Sequence, residues 1–374
     1  QPPVDGLLDA AKRLDAALQR LETPLFELCK SLLARLDDEA EDLEPAARAR
    51  LQGLARSLTR RGLQPLATWR AMLTALFGDA PAAFVDWFGV SRIGGRDVDV
   101  GFFRHWLDPT QPLAEAVFEP AHGVLVTSAS LRDHGGDEPE GGWAKANDRV
   151  GVGHIAAETH GAAHCSPFDY TEETRVYIIG DVNRNNPEEV SAAFRKLFLA
   201  AGGGSLGLFT AIHRLRAVYE RIALPLEAAN LPLLAQHVDP LDTGTLIDIF
   251  RSEEDTCLLG TDAVRDGVDV PGRSLRLIAF DRVPWPRPTI LHRARKTAFG
   301  GRTYDEMLTR LKLKQAYGRL LRRQGDRGVF VMLDRGLPSR LLSAFPLGLD
   351  VQRTGLSEAL CDIRSFLPKP KFYT

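Results

Sequence analysis

Cysteine is scarce and scattered: Cys29, Cys165, Cys257 and Cys361 are the only four, and no two form a CxxC pair. That excludes a disulfide framework and a thiolate metal site as organising features. No run of 18 apolar residues occurs, so neither a membrane-spanning helix nor a membrane partner is expected. The opening, QPPVDGLLDAAKRLDAALQR, has neither the apolar core nor the cleavage site of a signal peptide. A cytoplasmic location is therefore the default expectation. Gln1 is not a methionine, from which we expect the chain to begin inside a longer protein. Also missing is any GxxxxGK[ST] phosphate loop.

What is present suits a large globular chain: 374 residues, 44% apolar, enough for two domains or for one with an appendage. The net charge of −2 hides an asymmetry, because residues 282–327 hold thirteen Lys or Arg against three acids. The remainder must then carry −12. Trp285, Phe299, Tyr304 and Tyr317 are interleaved with these cations. A basic stretch with aromatics reads as a polyanion-binding face, since cations pair with phosphates and aromatic rings stack on bases.

The chain is organised around LKLKQAYGRLLRRQGDRGVFVMLD, Leu311 to Asp334. A cationic helix is expected here, then a turn at Gly325, then a buried strand over Val329 to Leu333. On that helix Gln315, Arg319 and Arg322 share one face. Guanidinium forks pair with phosphate oxygens and stabilise charge that develops in phosphoryl transfer. A second stretch, TCLLGTDAVRDGVDVPG from Thr256 to Gly272, reads as a buried strand followed by a Gly- and Asp-punctuated loop.

Together, Gly260 to Gly272 and the Gln-x-x-x-Arg-x-x-Arg run of Gln315 to Arg322 resemble the last two motifs of superfamily 2 helicases of the DinG and XPD branch. SPFDY (Ser166–Tyr170), GLFTAIHRLR (Gly207–Arg216), VPWPRP (Val283–Pro288) and VTSAS (Val126–Ser130) fall in the order of that family. The resemblance runs from about Gly123 to Pro346. It implies an α/β fold: a RecA-like second motor domain, built on a parallel doubly wound sheet, with an N-terminal helical, arch-like accessory region. It also implies catalytic roles for Arg319, Arg322 and Gln315, and nucleotide-binding roles for Gly267 and Asp269. Thr127, Ser128, Thr210, Thr261 and Trp285 are assigned to DNA. Arg265-Asp266 stands where DinG-type loops usually carry Trp-Glu.

Implied partners are single-stranded DNA, ATP and an upstream first motor domain of the same polypeptide. ATP and Mg2+ are the implied cofactors, with their main site outside this chain. The missing phosphate loop, DEAH box and cluster cysteines predict that this chain alone hydrolyses ATP poorly or not at all. The alternative is a non-catalytic nucleic-acid-binding or adaptor protein that retains one RecA-like domain.

The remaining sequence divides at expected boundaries of 1–82 (helical accessory region), 83–132 (strands closing the first motor domain), 133–150 (linker) and 151–374 (second motor domain). Leucines from Leu7 to Leu36 recur at helical spacing, with Pro24 marking a break or kink and an αα-hairpin expected. Pro45 and Pro65 open two further helices. This region is arch-like by order only, and an independent accessory domain fits equally well. DEAE at Asp38–Glu41 lies in a helical acidic run and is not read as a magnesium-binding box. Alternation around Gly94-Gly95 predicts a β-hairpin between Ala83 and Leu107. GVLVTSAS, Gly123 to Ser130, reads as an apolar strand, and Leu131 to Val150 as a flexible connection. His154, His160, His164 and Cys165 have no regular ligand spacing, so no metal is assigned. From residue 170 to 335 strands alternate with helices, as a parallel doubly wound sheet requires.

Overall fold

The computed structural model describes residues 5–78, 82–132, 142–267 and 269–367. The chain divides into two compact units, Gln1–Pro109 and Thr110–Thr374.

In the first unit, α1 (Leu7–Asp38) runs unbroken through Pro24 and packs on α2 (Pro45–Leu58) and α3 (Gln64–Ala75). The reversal of the hairpin therefore lies after Asp38, not at Pro24. Proline removes one amide and costs a helix roughly 3 kcal/mol, which packing along both partner helices can offset. A five-residue π turn, Thr59–Leu63, joins α2 to α3. Arg70 on α3 reaches Asp15 at 2.8 Å and Glu22 at 2.6 Å on α1. The hairpin β1 (Phe84–Ile93) and β2 (Arg96–Trp106) pairs antiparallel, with Gly94 and Gly95 at positive φ in its turn.

The second unit begins with α4 (Thr110–Leu113) and a π turn to Phe118. Residues 123–128 form neither helix nor strand, and Leu125 is 87% exposed. The strand expected at GVLVTSAS is thus not formed here, because an extended run is stable only against hydrogen-bonded neighbours. Residues 133–141 of the expected linker lie outside the described residues. Its second half is not a flexible connection but α5 (Trp143–Val150).

After α6 (Tyr170–Glu173) comes a regular alternation: β3 (Thr174–Ile179), α7 (Pro187–Ala201), β4 (Ser205–Leu208), α8 (Ile212–Glu227), β5 (Leu233–Ala235), α9 (Thr243–Ser252), β6 (Cys257–Gly260), α10 (Asp262–Gly267), β7 (Leu277–Phe280), α11 (Ile290–Ala298), α12 (Arg302–Tyr317), β8 (Gly328–Met332), β9 (Val351–Thr354) and α13 (Leu356–Phe366). The sheet order is β5-β6-β4-β7-β8-β3-β9, every pairing parallel. This is the doubly wound α/β arrangement expected of a RecA-like motor domain. Parallel sheets are covered on both faces, so their strands read as continuous apolar runs, as VYII, CLLG and GVFVM do. One face packs Phe194, Leu197, Leu215, Ile222 and Ile363 from α7, α8 and α13. The other packs Leu246, Phe250, Val264, Leu313 and Tyr317 from α9, α10 and α12.

The amino edge of this sheet is held by Arg276, which is 2% exposed. Its guanidinium donates to the carbonyls of Ala201, Gly202, Glu254 and Arg273 and pairs with Asp255 at 2.8 Å. Burial pushes its pKa down while Asp255 opposes that shift. Gly203 (φ 93°) lies so close to the Asp255 carbonyl that an added Cβ would sit 2.1 Å from that oxygen. Gly203→Ala should therefore lower unfolding stability by roughly 1–3 kcal/mol, measured by urea denaturation.

Burial also pushes the Cys257 thiol up to about 12. Cys29 and Cys257 are buried and Cys165 and Cys361 exposed. A thiol reagent at neutral pH should label Cys165 and Cys361 quickly, and Cys257 only on unfolding.

Candidate functional site

Function in open α/β sheets gathers at the carboxyl ends of the strands. Here β4 and β6 are neighbours, with Leu208 opposite Gly260 and the Phe209 amide donating to the Gly260 carbonyl at 2.9 Å. Thr210 and Thr261 consequently stand on adjacent strand tips. An added Cβ at Gly260 would meet the Val264 side chain at 2.5 Å, so glycine permits the close return of α10. That short helix occupies part of the stretch read as a loop. Its first turn is set by the Val264 and Arg265 amides, which both donate to the Thr261 carbonyl.

The two threonines differ in what they can offer an anion. Thr261 donates its amide (3.0 Å) and its hydroxyl (2.8 Å) to Oε1 of Gln236, a residue 6% exposed. The other end of that amide donates to Thr243 Oγ1 at 3.1 Å. Thr261 therefore has no proton left for a phosphate unless Gln236 releases it. The Thr210 amide goes to Asp281 Oδ1 at 3.3 Å, and its carbonyl accepts from Arg287 at 3.3 Å. Its hydroxyl makes no hydrogen bond among the described residues and is the donor available to a ligand.

Asp281, just after β7, is fully buried and receives Arg214 Nε at 2.5 Å. Burial pushes the Asp281 carboxyl up, with Arg214 pulling the other way. Arg214 also donates to the Arg184 carbonyl at 3.0 Å. Asp334, just after β8, accepts Arg184 Nη1 on both oxygens at 2.6 Å. Trp285, 40% exposed, follows on the same β7 exit.

A second group forms around the arginine motif, with geometry different from the expected helical face. Helix α12 stops at Tyr317, so only Gln315 is helical, and Arg319 and Arg322 lie in the turn that follows. The Arg322 and Arg323 amides are taken by the Asp326 carboxylate at 2.9 and 2.7 Å, instead of by helical carbonyls. Gly325 (φ 87°) completes the reversal. Arg322 Nε pairs with Asp269 at 3.1 Å, and Arg251 donates to the Asp269 carbonyl at 3.0 Å. Arg322 and Asp269 are thus brought together, while Gly267 closes α10 nearby in the chain and Gln315 points to solvent. Thr127 and Ser128 are exposed in the irregular segment before Leu131, where the Ser128 hydroxyl contacts that of Ser130 at 3.1 Å. Lys314 of α12 donates to the Arg132 carbonyl at the end of that segment, 3.0 Å away.

No group of three His, Cys, Asp or Glu is placed to hold a metal ion among the described residues. Gln236, Arg214, Asp281 and Asp334 were not singled out from the sequence. The available signal was an acid directly after an apolar strand, in LIAFD and VFVMLD.

Residues 194–347 match the model of the helicase C-terminal domain, spanning α7 to the turn after β8. This stretch is thus similar to the C-terminal domain of DinG-type helicases. The ATP-dependent helicase DinG of Mycobacterium tuberculosis (strain H37Rv) is 35% identical over 243 residues, covering 61% of this chain and 34% of that protein. The 3'-5' exonuclease DinG of Bacillus subtilis (strain 168) is 28% identical over 345 residues, covering 88% of this chain and 35% of that protein. An XPD helicase structure aligns over 48% of this chain and 35% of its own, at 18% identity and a TM-score of 0.38. The chain thus spans about a third of the length of the curated relatives it matches.

Within this domain, Asp281→Ala should leave the Arg214 guanidinium, with 13% of its side chain exposed, without its carboxylate. A loss of about 3–5 kcal/mol is expected in denaturant unfolding. A loss below about 1 kcal/mol would mean that the pair does not hold the strand tips.

Proposed function

We propose that this chain is the C-terminal portion of an ATP-dependent DNA helicase of the DinG/XPD type, which moves along single-stranded DNA. An upstream first motor domain of the same polypeptide would hold most of the ATP and Mg2+ site. This chain would supply Arg319 and Arg322 as arginine fingers, Gln315 in the same phosphate network, and Gly267 with Asp269 along the nucleotide cleft. The DNA track would include Thr127, Ser128, Thr210, Thr261 and Trp285. The observation that carries this reading is the pairing of Arg322 with Asp269 at 3.1 Å, since it joins the two motif stretches into one site.

Magnesium-bound ATP would supply the phosphoryl group to be transferred. The guanidiniums would hold the charge that develops on it, and the turn after Tyr317 would let them swing without unwinding α12. The ion pair of Arg322 with Asp269 is exposed, so releasing it costs little. On the DNA side, Thr210 can donate at once, whereas Thr261 must first be released by Gln236. That difference offers a physical means of changing grip on the strand.

The test is steady-state ATP hydrolysis by a polypeptide extended upstream to include a first motor domain. Arg319→Ala and Arg322→Ala should each lower kcat by about 10³-fold or more. The 374-residue chain alone should show no hydrolysis above buffer, with or without single-stranded DNA. Wild-type rates in both variants would overturn the finger assignment and leave the non-catalytic binding protein as the better reading.

A further inference from the structure

The strand tips carry more positive charge than their carboxylates can neutralise. Arg184, Arg214, Arg282 and Arg287 converge at the exits of β3, β4 and β7, where the acids that contact them are Asp281 and Asp334. Both acids are buried and their oxygens are already engaged. Asp281 accepts from Arg214 and the Thr210 amide, and Asp334 from Arg184 and the amides of Val283 and Gly336. Arg282 makes only neutral contacts, to Asn185 Oδ1 at 2.8 Å and the Arg184 carbonyl at 3.3 Å, and its buried Nε has no hydrogen-bond partner among the described residues. Arg287 is exposed, and its one hydrogen bond among the described residues goes to the Thr210 carbonyl. Burial pushes the Arg282 pKa down and the neighbouring Arg214 and Arg184 push it further, while Asp281 and Asp334 oppose the shift without reversing it. An anion seated here would relieve both.

Resting on the single-strand reading above, we propose that Arg282, Arg287 and the outer edge of Arg184 form a cradle for one backbone phosphate of the strand, beside the Thr210 hydroxyl. The guanidinium nitrogens left over present planar donor pairs, a geometry that suits phosphate oxygens better than a single carboxylate. Trp285, between Arg282 and Arg287 and flanked by Pro284 and Pro286, sets an aromatic face next to that phosphate for the adjoining base. Arg184 holds its place through Asp334, and Asn185 orients Arg282, so the cradle is fixed before a strand arrives.

The experiment is salt-dependent binding of a labelled oligothymidylate to the full chain, read by fluorescence anisotropy. Arg282→Gln and Arg287→Gln should each reduce the slope of log affinity against log salt by about one. Arg287→Gln removes an exposed group with one weak contact, so it stays informative if Arg282→Gln fails to fold. Unchanged affinity and slope in a folded variant would overturn the cradle while leaving strand binding intact. No binding by the wild-type chain would sink the single-strand reading and the cradle with it. Titration with inorganic phosphate alone separates the sources. If phosphate binds and Arg282→Gln abolishes that, while oligonucleotide slopes stay at wild type, the site is one for a free anion and the proposal fails.

Discussion

The pairing of Arg214 with buried Asp281 is the constraint on which the functional edge depends. A carboxylate this deep is tolerable only with a charged partner and hydrogen bonds on its remaining lone pairs. Meeting that demand draws the start of α8, the exit of β7 and the Thr210 amide to one point. Arg214 then reaches on to the Arg184 carbonyl, which also receives Arg282. Three chain segments distant in sequence are thereby held in register at the strand tips.

At the opposite edge Arg276 does related work with a different chemistry. Four carbonyls and one carboxylate surround its guanidinium, so the loops before β4 and β6 close on a shared donor. The sheet is pinned at both ends by arginine, and its faces are sealed by aliphatic and aromatic packing from two helical layers.

Much of the alternation was legible because buried parallel strands leave an unbroken apolar signature. The strand expected over Val329 to Leu333 forms as β8, Gly328–Met332, one residue earlier at each end. Boundaries set by capping were less legible. The apolar stripe of Leu313, Ala316, Tyr317 and Leu320 continues at helical spacing past the point where α12 stops. The helix closes in a tighter turn, the Arg319 and Leu320 amides donating to the Ala316 and Tyr317 carbonyls, and Asp326 then takes the amides of Arg322 and Arg323, which periodicity does not encode. The reverse held at Pro24, where a local breaking signal was overridden by packing on α2 and α3. GVLVTSAS has strand composition without a strand partner, since composition describes a residue's preference and pairing depends on what lies beside it.

The sequence by itself determined the class of the sheet, the order of the motifs and the residue types gathered for anion chemistry, because apolar runs, glycine turns and arginine spacing are local properties. Only the tertiary structure decided that Thr261 spends its protons on Gln236, that Thr210 keeps its hydroxyl free, and that Arg322 meets Asp269 from a turn. Those outcomes depend on which strands become neighbours, and neighbours in a parallel sheet are joined by crossovers long enough to leave no trace of the pairing in the local sequence.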